Sequence, residues 1–162
     1  MKLADLLHQD VVVDAMQATD ATQAIDELLA RLVSTGRLRE TDRARAREIV
    51  LARERSMSTG IGHGVAIPHG TVPGLDGVLG ALGRSTGGIE FAALDGNPVH
   101  IVVLVLVGES AYRQHIRTLA IVSRLLNSAS LRAQLLQATE PASMMRAIEA
   151  EESSGSRLNQ AL

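Results

Sequence analysis

Val99-His-Ile-Val-Val-Leu-Val-Leu-Val107 has no polar alternation to mark a solvent face. After His100 every residue to Val107 is Val, Ile or Leu. The run is far too short to span a membrane. A strand apolar on both faces belongs at the centre of a sheet covered on both sides by helices. Each such side chain contributes ~1.5–3 kcal/mol on burial, so this strand is expected to anchor the core. Gly108-Glu-Ser110 ends it, and helical spacing follows from about Ala111 to Asn127. Val78 to Gly83 reads as a second strand. Ser85-Thr-Gly-Gly88 and Asp95-Gly-Asn-Pro98 read as turns, with Ile89 to Phe91 extended between them.

Toward the N-terminus, Ala24, Ile25, Leu28, Leu29 and Leu32 recur at helical spacing. Asp20 is the expected N-cap, Gln23 stands at the capping-box position, and Gly36 is the stop. A second helix is expected from Thr41 or Asp42 to about Arg55. Residues 3–8 read as a short helix and Val11 to Val13 as a small strand. Beyond the long C-terminal-half helix, two shorter ones are expected at Leu131 to Gln137 and from Pro141, a favoured first helical position. The reading is one α/β domain over residues 1–150 and a polar tail over 151–162.

Composition narrows the function classes. The 162 residues are 46% hydrophobic and 21% charged, a chain that folds. Phe91 and Tyr112 are the only aromatic residues of the Phe, Trp and Tyr class, so the core is aliphatic and base-stacking platforms are absent. A net charge of -2 gives no field for nucleic acid or an anionic membrane. With no cysteine there are no disulfides, thiolate metal sites or cysteine nucleophiles. Asp5 falls too early for a signal peptide. A cytoplasmic location without membrane insertion is the expectation.

The chemistry concentrates in Ser58-Thr-Gly-Ile-Gly-His-Gly-Val-Ala-Ile-Pro-His-Gly70. These thirteen residues hold four of the fourteen glycines, one of four prolines and two of five histidines. Val65, Ala66 and Ile67 read as a buried strand that Pro68 ends, because proline withholds a donor. His69 is expected just past that strand end, where open α/β sheets bind ligands. His115 is its candidate partner. Leu119, Val122 and Leu126 follow it on the inward stripe of the helix after the central strand. Two imidazoles there suit phosphoryl transfer: one attacks phosphorus and the other orients it or stabilises charge. The plain alternative is a pair of structural histidines.

Arg53, just before the glycine-rich stretch, is placed to pair with a phosphorylated histidine. Ser58 and Thr59 can donate hydroxyl hydrogen bonds to the same group or serve as turn residues. Gly62, His63, Gly64 and Gly70 are taken as support for the phosphate-bearing loop. His63 with His69 and His115 could also form a three-histidine metal site, but no carboxylate lies in the stretch and no metal is expected. Gly60-Ile-Gly-His-Gly64 follows a helix and precedes a strand, the reverse of a dinucleotide fingerprint, and no lysine completes a P-loop.

Ser58 to Gly70 resembles the active-site segment of the type-2 EIIA domains of the bacterial phosphoenolpyruvate-dependent phosphotransferase system, of the mannitol/fructose and nitrogen-regulatory kinds. The resemblance continues through Gly88-Ile-Glu-Phe91, Asp95-Gly-Asn-Pro-Val99 and the apolar strand to His115-Ile-Arg-Thr-Leu119. It implies a mixed, mostly parallel sheet sandwiched between helices. It implies a phosphotransferase component without a cofactor, in which His69 accepts a phosphoryl group from the carrier protein HPr or its nitrogen-branch equivalent. His115 matches the second active-site histidine and Arg53 the arginine that helps hold the group. The chain departs from the resemblance at His63, where many members have Asn. Downstream, the resemblance implies either a regulated protein (a kinase, channel or transcription regulator) in a nitrogen-regulatory role, or the EIIB of a fructose or mannitol uptake system. A purely regulatory binding module is the reading from another class. For docking, an apolar surface is expected near Ile61, Val65 and Val72.

Overall fold

The apolar run forms β6 (Val99–Gly108), and its side chains divide by parity between two cores. Val102, Leu104 and Leu106 face one way, toward α2 (Ala21–Ser34) and α3 (Glu40–Ser56). Ile101, Val103, Val105 and Val107 face the other, toward α1 (Leu3–Leu6), α4 (Tyr112–Leu126), α5 (Ala129–Gln137) and α6 (Pro141–Gln160). All seven are essentially without solvent exposure. This is the two-sided burial that the unbroken apolar run demands. The computed structural model describes residues 1–160, the last three by backbone alone.

The other strands are β1 (Val12–Val13), β2 (Gly60–Gly62), β3 (Val65–Ala66), β4 (His69–Val72) and β5 (Val78–Ile89). The sheet runs β1-β5-β6-β3-β2, and β4 also lies against β6. β3 pairs with Ile101 and Val102, and β4 pairs four residues further along, from Val105 to Gly108. Three of the five pairings are parallel, and the longest, β5 with β6, is antiparallel. The fold is therefore the mixed α/β sandwich expected, built around a long antiparallel pair.

Local chemistry explains the elements. Asp20 caps α2 by accepting the Gln23 N–H at 2.8 Å, while the Gln23 side chain accepts from Thr19 rather than closing a capping box. Arg84 on β5 is buried and, among the described residues, has no carboxylate partner. Its guanidinium donates to the carbonyls of Asp14, Leu135 and Ala138. The last two belong to the C-terminal end of α5, where the helix dipole favours a cation.

Two expectations are corrected and one is refined. Ser85 to Gly88 is no turn between strands but an irregularity inside β5, where the register with β6 slips between Arg84 and Ile89. Its turn chemistry is real: Gly88 has φ +91° and donates its N–H to Ser85 Oγ. His69 lies past the end of β3, but pairing resumes there, so it opens β4 and is not in a loop. Pro68 interrupts the ladder for one step, and its carbonyl still accepts from Val105. The stretch beyond residue 150 is not a tail, because α6 continues through it to Gln160. Ser153, Ser154 and Ser156 satisfy their hydroxyls on carbonyls four residues back, so they stay helical. Glu152 accepts the N–H groups of Leu3 and Ala4, each at 2.8 Å, and so ties α6 to the start of the chain. The remaining two residues of the expected tail, 161 and 162, lie outside the described residues.

Candidate active site

β6 ends at Gly108, and the chain turns back as α4 over the end of the sheet where β4 begins. That return brings His115, in the first turn of α4, to His69. The ring centroids are 5.4 Å apart and the planes are inclined by 51°. His69 Nδ1 lies 2.8 Å from the Ile67 carbonyl oxygen. A carbonyl can only accept, so Nδ1 carries the proton and Nε2 is left as a free lone pair.

The half-buried His69 has its pKa lowered. Burial is the main cause, the Ile67 hydrogen bond opposes it, the Arg53 charge lowers it further and Glu54 raises it. Burial and then the charge of His69 lower the pKa of His115. His115 Nδ1 is buried and meets no hydrogen-bond partner among the described residues. A buried lone pair without a partner costs less than a buried N–H without one, so the proton belongs on Nε2. The exposed Tyr112 ring stacks near His115, centroids 6.3 Å apart.

The last turn of α3 supplies the charges. α3 sits directly on β4 because Gly70 has no Cβ, which would lie 2.8 Å from Ile49 Cγ2. Gly70 thus permits helix packing. Arg53 is near enough to act on His69 through its charge, and its Nη1 donates to the Met57 carbonyl at 2.9 Å. Glu54 accepts both the N–H of Thr59, at 2.9 Å, and its hydroxyl. Thr59 is buried and its hydroxyl is taken by Glu54, not offered to a ligand. Glu54 is not among the candidate residues that the sequence offers. The available signal was its position: an acid in the last helical turn opposes the helix dipole and needs local donors.

Gly62, His63 and Gly64 are not brought to the histidine pair. They form the β2–β3 hairpin with φ of +92°, +56° and +74°. His69 pairs four residues further along β6 than Val65 does, a span of ~13 Å at strand rise. The exposed His63 donates its backbone N–H to Asp95 at 3.3 Å. Left-handed backbone explains the Asn expected at this position, since Asn and His both enter that region more readily than most residues. Among the described residues no group of three His, Asp or Glu is arranged to hold a metal. His100 donates Nδ1–H to the Ser85 carbonyl and belongs to the β5 irregularity.

The expected docking residues need correction too. Ile61 is exposed, but Val65 and Val72 are buried in the two cores because both point inward from strands beside β6. Met57, whose carbonyl holds Arg53, is 65% exposed, and the exposed apolar side chains beside His115 are Tyr112 at 63% and Ile116 at 57%. Arg113 and Arg117 are exposed beside them on α4.

The model of a family described as the phosphoenolpyruvate-dependent sugar phosphotransferase system, EIIA 2, matches residues 5–151. The chain belongs to this family. Family members are components of a phosphotransferase system, and the mixed α/β sheet with flanking helices is their fold. A fructose-specific EIIABC component from Bacillus subtilis is 41% identical over 50% of this chain and 13% of that protein. A nitrogen regulatory protein from Bradyrhizobium diazoefficiens is 40% identical over 48% of this chain and 51% of its own length. The chain thus spans about half or less of these relatives. Among solved structures, the EIIA domain resembles nitrogen regulatory protein IIA-Ntr from Neisseria meningitidis, with a TM-score of 0.81 and 28% identity over 90% of this chain and 98% of that one. The Escherichia coli IIA mannitol structure, at 20% identity and a TM-score of 0.70, shares the fold. Among the described residues no helix is long and apolar enough to cross a membrane.

Proposed function

We propose that this EIIA domain is a cytoplasmic phosphocarrier that takes a phosphoryl group from the phosphohistidine of an HPr-type protein onto His69 Nε2. The observation that carries the reading is the Ile67 carbonyl on His69 Nδ1, which leaves Nε2 unprotonated beside a second neutral imidazole. In the transfer, the His69 Nε2 lone pair forms the new N–P bond. The donor's N–P bond breaks in line, and the donor imidazole leaves with the electron pair. The Nδ1–H of His69 stays hydrogen-bonded to the Ile67 carbonyl, which stabilises the positive charge that the ring acquires. His115 Nε2–H donates to a phosphoryl oxygen, and the Arg53 charge draws the group toward the site. Met57, Tyr112 and Ile116 give the carrier protein an apolar contact, with Arg113 and Arg117 for its charged rim.

The test is incubation with phosphoenolpyruvate, Enzyme I and HPr, followed by acid-labile phosphate on the domain. The parent is expected to label and His69→Ala to stay unlabelled; equal labelling of both overturns the assignment.

Downstream, the likeness to the Neisseria protein over most of the chain favours a nitrogen-regulatory role. In that role the charge on phospho-His69 switches contact with a kinase, channel or transcription regulator. The alternatives are transfer to an EIIB of a fructose or mannitol system, and a binding module that uses no phosphoryl relay. Pull-downs with parent, His69→Ala and His69→Glu separate them. Partner sets that change with the charge at residue 69 support the switch, and identical sets count against it.

A further inference from the structure

Glu54 has no part in the mechanism above, yet it is connected to the reacting ring. Its two carboxylate oxygens take both donors of Thr59, the backbone N–H and the hydroxyl. The Thr59 carbonyl in turn accepts the N–H of Ile67 at 3.1 Å. The Ile67 carbonyl then accepts the His69 Nδ1 proton at 2.8 Å. Three successive contacts therefore run from the end of α3 to the imidazole. The segment between Thr59 and Ile67 is the glycine-rich hairpin, with three successive positive φ values and little intrinsic stiffness. The β6 ladder holds Ala66 and Pro68 on either side of Ile67, and the Ile67 peptide itself needs a further fixed point if its carbonyl is to aim at one ring nitrogen. Buried Thr59, gripped by a helix that is itself packed on β4, supplies that fixed point.

From this chain of contacts we infer that Glu54 is a positioning residue that acts through Thr59 and Ile67 to fix the tautomer and orientation of His69. The inference rests on the phosphocarrier reading for its consequence, but the positioning itself is a property of the unphosphorylated protein. Arg53 and Glu54 thereby have separate tasks on adjacent positions: one meets the phosphoryl group through its charge, and the other aims the nucleophile. Because Glu54 is negative, it must be held back from the site. The double engagement by Thr59 does this by occupying both oxygens.

The experiment compares the parent with Glu54→Gln, Thr59→Val and Thr59→Ser, each labelled with 15N histidine. Ring-nitrogen shifts of His69 at a pH where the ring is neutral report the tautomer. The parent is expected to show a protonated Nδ1 and a free Nε2. Glu54→Gln and Thr59→Val are expected to shift toward a mixed tautomer, while Thr59→Ser keeps the hydroxyl and restores the parent pattern. Phosphoryl uptake from phospho-HPr should fall roughly tenfold in the first two, the loss of about one well-placed hydrogen bond. Thr59→Val removes one contact only, so it keeps the test open if Glu54→Gln does not fold. A His69 tautomer unchanged in both Glu54→Gln and Thr59→Val overturns the inference. A tautomer shift in these variants, together with a parent that takes up no phosphate, leaves the positioning standing and overturns the phosphocarrier reading alone.

Discussion

The glycine-rich stretch contains two histidines in similar company, Gly62-His63-Gly64 and Pro68-His69-Gly70, and the structure gives them opposite surroundings. His63 is exposed at a hairpin tip with left-handed backbone, and among the described residues only its backbone N–H is engaged. His69 opens a strand, is half-buried, and has one ring nitrogen fixed by a carbonyl and a second imidazole beside it. Glycines flank both residues for different reasons. At 62 and 64 they permit positive φ; at 70 the missing side chain lets a helix reach the strand. A histidine becomes a nucleophile through what holds its ring and what excludes water from it. Neighbouring glycines do not by themselves confer that.

The sharpest way to break this contrast is to remove each ring in turn. His69→Ala should abolish phosphoryl uptake, whereas His63→Asn should keep it within about twofold, since Asn tolerates the same backbone. Comparable losses in a labelling assay would show that the hairpin belongs to the site after all. His115→Ala should keep the acceptor and lower the uptake rate by roughly 10²-fold, the scale of losing one preorganised donor. Rapid-quench rates that match the parent would remove it from the chemistry.

The glycines sharpen the contrast in stability rather than activity. Gly70→Ala should destabilise by about 1–3 kcal/mol through overpacking against Ile49. His63→Val should cost ~1–2 kcal/mol through left-handed strain alone. Urea denaturation measures both, and a neutral Gly70→Ala would mean that α3 can move off β4 freely.

The smallest effect is in pH. His69 and His115 both lie below the ordinary histidine value of 6.5 in the folded protein. As pH falls, the unfolded chain therefore binds these protons first. Their stabilising contribution is complete above about 6.5 and is lost as pH drops through the lowered folded values. Denaturation midpoints across this window should flatten in His69→Gln, and uptake by the parent should persist to pH values below 6.5 before protonation of Nε2 stops it.

Much of this was legible because burial writes itself into period and composition. β6 follows from its unbroken apolar run, α2 from its stripe and its Asp20 cap, and His115 from the apolar residues that follow it on α4. Failures came where long-range contacts decide. The irregularity at Ser85 to Gly88 uses turn chemistry inside a strand. Ser153 to Ser156 looks loop-like until hydroxyls return to helix carbonyls and Glu152 meets the first residues of the chain. Val65 and Val72 were expected at the surface, but each flanks β6. Glu54 carries no sequence signal of its own beyond its place in the last helical turn, because its partner Thr59 is settled only when the loop after α3 folds back on it.

One strand serving two cores has a consequence for how the protein comes apart. Residues of alternate parity on β6 hold opposite helical layers, so neither layer can detach without exposing side chains next to those that secure the other. The two layers should open as one cooperative unit, and the slowest amide protons to exchange with solvent should be those of β6.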